Sequence, residues 1–180
     1  MATTLLTGII AKTHSFKTEQ VKPTTLNVAS KLVSLGGERD SIVDHLYRTR
    51  SVATLKLWGQ ALAHLQTIPS IGLVYTAITR DDFVRSGASE DDLYDIVEEL
   101  IANSPEAKLV LLLHEHPTMQ GSPTIHGYLK SMKQGSATSL VKPFHPDGNE
   151  HRASFTLADL SLKQAEEIIV KHLTEQLQTR

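Results

Sequence analysis

The chain has 180 residues, a formal net charge of -2 and 40% hydrophobic residues. That length accommodates one domain or a small domain with an appendage, and a pI near 6.5 exerts no global pull toward nucleic acid or membrane. The absence of cysteine excludes disulfides, thiolate catalysis and cysteine-type zinc sites, and fits a cytoplasmic protein.

Residues 2–11 predict a helix ending near Lys12, with loop signals through Lys22. These residues lack the basic start and long apolar stretch of a signal peptide, and no apolar run in the chain is long enough to span a bilayer. Pro23 suits a helix first turn, where its missing donor would be unpaired anyway. Leu26, Ala29, Leu32 and Val33 form an apolar stripe, and Gly36-Gly37 stops that helix. A second helix spans about Asp40 to Tyr47, with Ile42, Val43 and Leu46 inward. A third starts near Ser51 and repeats Val52, Leu55, Trp58, Ala61, Leu62 and Leu65 at helical spacing.

The texture changes at Thr67-Ile68-Pro69-Ser70, where the domain boundary is expected. Gly72 to Thr79 reads as a strand, and Thr79-Arg80-Asp81-Asp82 leads into a short helix broken by Gly87. Ser89-Glu90-Asp91-Asp92 combines a capping serine with acids at the positive end of the dipole, and opens a helix through Leu93, Ile96, Val97, Leu100 and Ile101. Ser104-Pro105 ends it. Lys108 to His114 is a buried strand, followed by strands at Thr124 to Met132 and His151 to Leu157. Ser161-Leu162-Lys163-Gln164 is a capping box that opens a final helix to about Gln176. The order is a helical segment followed by β-α-β-β-β-α. It predicts an α+β (α/β-like) protein: an N-terminal helical segment plus a mixed sheet with helices on one side.

Several segments carry a family resemblance. Leu5 to Phe16, Leu-Leu-Thr-Gly-Ile-Ile-Ala-Lys-Thr-His-Ser-Phe, resembles the last catalytic motif of the DHH-family phosphoesterases of the oligoribonuclease and phosphoadenosine-phosphatase type. That motif reads roughly Thr-Gly-Ile-x-x-Asp-Thr-Gly-x-Phe, and its Asp helps hold a divalent metal. Pro23-Thr24-Thr25-Leu26 with Ala29-Ser30 and Gly36-Gly37 resembles the stretch after the fourth motif. Leu46-Tyr47, Ser51 and Leu55 to Leu62 resemble the family's connecting helix, and Leu73 to Phe83 resembles the first strand and turn of its DHH-associated domain. The likeness covers most of the chain and is closer before about residue 115 than after it.

The resemblance implies two parts: residues 1–66, the end of the catalytic domain and its connecting helix, and residues 70–180, a DHH-associated substrate-binding domain. It implies that the Asp-rich and Asp-His-His motifs, which hold two manganese ions in the family, would precede Leu5; the tripeptide is absent, and Lys12 stands at the final Asp. A carboxylate that neutralises a hard cation is thereby replaced by an ammonium that repels one. No catalytic residue, metal ligand or cofactor is therefore expected for this chain. In the family's second domain a strand Arg and a glycine run ending in His approach the nucleotide. Lys130, in Leu129-Lys130-Ser131, takes the Arg position, and Asp147-Gly148-Asn149-Glu150-His151 takes that of the glycine run. Lysine keeps the charge but loses the bidentate fork that fits phosphate. The implied substrate-binding residues are Lys130, Ser131, Gly148, His151 and Arg152.

Other clusters have bland and functional readings side by side. Lys12 and His14 are either solvated loop residues or phosphate contacts. His114 and His116 share a strand face, and with His126 adjacent they would make a metal site, with Glu115 pointing away. Lys130, Lys142, His145, His151 and Arg152 would make a cationic cleft; otherwise Gln134 to Asn149, rich in Gly, Ser, Thr and Pro, is a polar loop. Arg39, Arg48, Arg50 and Lys56 form a basic face or a solvated one, and Trp58 is a core residue. No nucleophile elbow, Walker loop, zinc-protease helix or dinucleotide fingerprint is present.

The sequence thus predicts binding of a nucleotide or short oligonucleotide, not its hydrolysis, with a homo-oligomer or the N-terminal catalytic part as partner and no membrane association. The rival readings are a degenerate module serving dimerisation or assembly, and a metal-dependent phosphodiesterase with rearranged ligands at His114, His116 and His126.

Overall fold

A computed structural model describes residues 1–18, 21–47, 51–99, 105–116, 124–132 and 134–178. The chain forms two compact units, Met1–Ser51 and Val52–Arg180.

The first unit holds helices α1 (Ala2–Lys12), α2 (Pro23–Ser34) and α3 (Arg39–Tyr47). Leu6, Ile10, Ala29, Leu32 and Ile42 form its core. The expected stripe of α2 is only partly used: Ala29 and Leu32 are buried, while Leu26 and Val33 are exposed. Leu46 of α3 is likewise exposed. After α1 the backbone turns left-handed at His14, Ser15 and Phe16, with φ of 44°, 58° and 68°. Thr13 supports this turn: its Oγ1 donates to Ile9 O and accepts from Phe16 N–H.

The second unit is a six-stranded mixed sheet of order β1-β2-β3-β4-β6-β5. Its strands are β1 (Gln66–Ile68), β2 (Leu73–Ile78), β3 (Leu109–Glu115), β4 (Thr124–Ser131), β5 (Asp147–Gly148) and β6 (Arg152–Ala158). β2 and β3 are parallel, joined by a crossover through α5 (Arg80–Ser86) and α6 (Asp91–Glu99); the remaining pairs are antiparallel. Helices α4 (Val52–Ala63), α7 (Ala137–Leu140) and α8 (Leu162–Gln178) complete the unit.

Helices cover both faces of the sheet, which corrects the one-sided arrangement expected from the element order. α8 and α7 pack on Leu111, Leu113, Leu129 and Phe155 through Ala165, Ile169, Leu173 and Leu140. α4, α5 and α6 pack on Val74, Ile78, Val110 and Leu112 through Leu57, Trp58, Phe83, Leu93 and Ile96. Six consecutive positions of β3, the apolar run Leu109–Leu113 and His114, are buried, as a strand covered on both faces requires. The boundary expected between residues 66 and 70 differs from the division observed at Ser51, because α4 packs on the sheet. Its buried residues are Thr54, Leu57, Trp58 and Ala61; Val52, Leu55 and Leu62, expected inward, are exposed. α4 is apolar on several sides, so spacing alone did not select the buried face.

Several local expectations hold. Ser161 and Gln164 form the predicted capping box. Ser89 donates through its N–H and Oγ to Asp92, the acid expected three residues after the cap, and Thr79 and Asp82 form a capping box at the start of the short helix. The polar-loop reading of residues 134–149 does not hold: the segment contains α7, a 3-10 turn at Lys142–Phe144 and β5, and buries Ala137, Leu140 and Val141 in the core. Elements this short show no periodicity. β1, three residues long, is likewise too short to show a period. Arg48, Arg50, Leu100, Ile101 and Ser104 lie outside the described residues.

Candidate functional site

The site forms on the sheet face that α4, α5 and α6 cover only in part. Antiparallel register places His126, Tyr128 and Lys130 of β4 opposite Thr156, Ser154 and Arg152 of β6. Directly opposed residues share a face, so these six side chains stand on one surface. The helices shield its β2 and β3 side, and Arg152, Ser154 and Thr156 stay exposed. A cleft of about 450 Å³ lies here, lined by His114, His126, Tyr128, His145, Asp147 and Ser154 among others. Gly127 also lines it, and the Phe155 ring occupies the space a Cβ at Gly127 would need and stacks on Phe144 at 5.6 Å.

At one end of the cleft, histidines converge on a single carboxylate. β3 and β4 bring His114 opposite His126, with ring centroids 5.3 Å apart. His116 follows beyond the end of β3, its N–H donating to Thr124 O, and its ring lies 5.2 Å from that of His126. The carboxylate is Glu90, at the start of α6. His126 Nδ1 is 2.9 Å and His114 Nε2 3.3 Å from Glu90 Oε1, and His116 Nε2 is 3.6 Å from Oε2. Glu90, His114 and His126 place one ligand atom each within 4.8 Å of one another.

The turn carrying Glu90 is pinned from two directions. Ser89 N–H and Oγ–H donate to Asp92 Oδ2, and Thr54 Oγ1–H donates to Asp92 Oδ1 at 2.6 Å. Trp58 Nε1–H donates to Asp92 O, so the expected core tryptophan also fixes the start of α6 from α4. Glu115 points away as expected, accepting from Arg80 N–H at 2.7 Å. Burial pushes the His114 imidazole down to about 4, against the opposing pull of Glu90, so the ring is neutral at ordinary pH. Phe83 closes it off edge-on at 6.0 Å.

The residues expected to contact substrate are placed differently from one another. Lys130 and Arg152 are cross-strand partners one pair beyond Tyr128 and Ser154, on the cleft face. Ser131 is a correction: it alternates to the opposite face, is buried, and donates to Gly135 O at 2.6 Å. Gly148 has φ 134°, and a Cβ there would come within 2.2 Å of Arg152 O, so close approach of β5 to β6 accounts for this glycine. His151 is exposed in the following turn, 3.3 Å from Glu150, and Asn149 Oδ1 accepts from the N–H groups of His151 and Arg152. His145 lines the cleft; Lys142 is exposed in the 3-10 turn before it. Arg39 pairs with Asp40 at 3.1 Å in the first unit, and Lys56 belongs to the second.

Lys12 occupies the last turn of α1, where its charge complements the helix dipole, and His14 is exposed beside it. These residues do not fit the manganese site that the resemblance implies. Among the described residues, the group able to hold a cation is Glu90, His114 and His126. Glu90 was read from the sequence only as a helix start. It lies 36 residues from His126, and no local pattern links them.

No protein-family model and no curated protein matches the chain. Its fold is similar to that of an exopolyphosphatase-related protein from Bacteroides fragilis, with a TM-score of 0.81 at 18% identity, over 97% of this chain and 49% of that one. A looser match is a pGpG-specific phosphodiesterase from Vibrio cholerae, with a TM-score of 0.48 at 12% identity, over 94% of this chain and 54% of that one. The chain spans about half the length of each. Among the described residues no helix is long and apolar enough to cross a membrane.

Proposed function

We propose that the chain is the ligand-binding part of a DHH-type phosphoesterase-like protein. It holds a phosphorylated ligand, a nucleotide or short oligonucleotide, on the open half of the sheet and does not hydrolyse it alone. The observation that carries this reading is the shared face of β4 and β6: aromatic Tyr128, hydroxyl Ser154 and the Lys130–Arg152 pair follow one another along it, beside a cleft of about 450 Å³. That volume lies in the range of small-molecule sites. Tyr128 offers a stacking surface for a base, and two adjacent cations suit a phosphate.

The test is a thermal-shift and calorimetric screen with adenosine monophosphate, phosphoadenosine phosphate, cyclic dinucleotides and short RNA. A ligand at a hundred times its dissociation constant adds about 2.7 kcal/mol of stability. Arg152→Ala and Tyr128→Ala are expected to weaken the responding ligand at least about tenfold, the loss of roughly one charge-assisted hydrogen bond or one stacked base. A panel without response would favour the assembly reading. That alternative rests on exposed Leu26, Val28 and Leu35 in the first unit and exposed Val52 and Leu55 on α4, and predicts a dimer whose mass by light scattering ignores nucleotides.

A further inference from the structure

We propose that Glu90, His114 and His126 form a binding site for a borderline divalent transition metal, zinc being the chemical type, with the ion's remaining coordination positions facing the cleft. The inference concerns this cluster alone and does not depend on the nucleotide reading.

The first argument is the setting of His114. Its Nδ1 faces the carbonyl of Glu115 at 3.4 Å and its Nε2 faces Glu90 Oε1 at 3.3 Å. Both oxygens only accept, and a cation at Nε2 with the ring proton on Nδ1 would satisfy both sides of this buried ring. An imidazole that gives one N–H to a backbone carbonyl and points the other nitrogen at a carboxylate has the outer-shell arrangement of a metal-ligating histidine.

The second argument is spacing. With bonds of about 2.0–2.1 Å, neighbouring ligand atoms around a tetrahedral ion lie roughly 3.3 Å apart. The separations at Glu90 Oε1 are 2.9 and 3.3 Å, within a small rotamer adjustment of that edge. His126 now shares the proton of its Nδ1 with Glu90; on metal binding that nitrogen ligates and the ring keeps its N–H at Nε2. His116, at the second oxygen of Glu90, positions the carboxylate. The support is rigid: the two ligating histidines sit on paired central strands, and Glu90 sits on a turn tied down through Asp92. Two imidazoles and one carboxylate favour zinc over magnesium, calcium or manganese. His114 and His126 both line the cleft, which leaves it the open side of the ion.

The experiment uses the full chain stripped with chelator. Cobalt(II) is added first, because the wild-type spectrum needs no variant: intense visible bands of a four-coordinate nitrogen and oxygen site are expected at one equivalent. Zinc is then titrated by calorimetry and by displacement of the cobalt bands. One zinc per chain is expected, weakened at least tenfold in Glu90→Gln and His126→Gln and unchanged in His151→Ala, which alters an exposed histidine elsewhere. Circular dichroism of the stripped variants verifies their folding. Absence of four-coordinate cobalt bands in the wild type overturns the site, and so does one bound equivalent that both folded ligand variants retain.

Discussion

At the scale of single residues, the turn after α1 holds residues with a Cβ in the left-handed region. The motif that this segment resembles has glycine where His14 stands, and His14 still adopts φ 44°. A left-handed conformation costs a residue with a Cβ about 1–2 kcal/mol. Glycine removes that strain and returns part of it as greater freedom in the unfolded chain. His14→Gly is therefore expected to stabilise the first unit by about 0.5–1 kcal/mol, seen as slower amide exchange in α1; faster exchange would show that the histidine side chain holds the turn. Lys12 is no more than compatible with its helix end, and Ser131 serves the turn at Gly135.

At the scale of elements, β4 and β6 define the candidate site, and the join between them is tight. A Cβ on Gly127 would meet the Phe155 ring at 2.2 Å, and that ring is held by its stack on Phe144. Gly127→Ala is expected to destabilise the second unit by about 1–3 kcal/mol in urea unfolding, as overpacking does. Adding Phe155→Leu should recover part of the loss, since a smaller side chain leaves room for the methyl group. Equal losses in the single and double variants would mean that the ring does not set the constraint. The elements themselves were largely legible in the sequence. Ser89, Thr79 and Ser161 announced helix starts because capping is a local transaction within four residues. The buried faces of α2 and α4 were not legible, because apolar residues lie on several sides of each and tertiary packing made the choice.

At the scale of the whole molecule, α4 belongs with the sheet. Leu57, Trp58 and Ala61 are buried against Val74, Ile78 and Leu112. Burying a side chain the size of Leu57 or Trp58 contributes about 1.5–3 kcal/mol. A fragment of residues 52–180 is expected to unfold cooperatively, whereas one of residues 70–180, lacking α4 and β1, is expected to lose several kcal/mol and expose its sheet to dye binding. Equal melting of the two fragments would show that α4 is dispensable. The fold itself resembles half of an exopolyphosphatase-related protein at 18% identity, a level at which architecture carries over and chemistry does not.

The sequence by itself determined the run of helices and strands, the N-caps, the α+β class and the exclusion of cysteine chemistry, because these follow from composition and from interactions between near neighbours in the chain. It also placed His114 and His116 on one strand face and marked His126 as a neighbour, since alternation along a strand is local. Only the tertiary structure decided that Glu90 meets those histidines, that Lys130 stands opposite Arg152, that Ser131 turns away, and that helices cover both sides of the sheet. Each of these depends on strand register or on helix docking between distant segments. Such arrangements are fixed by the packing of the whole core and leave no periodic mark in any one stretch of sequence.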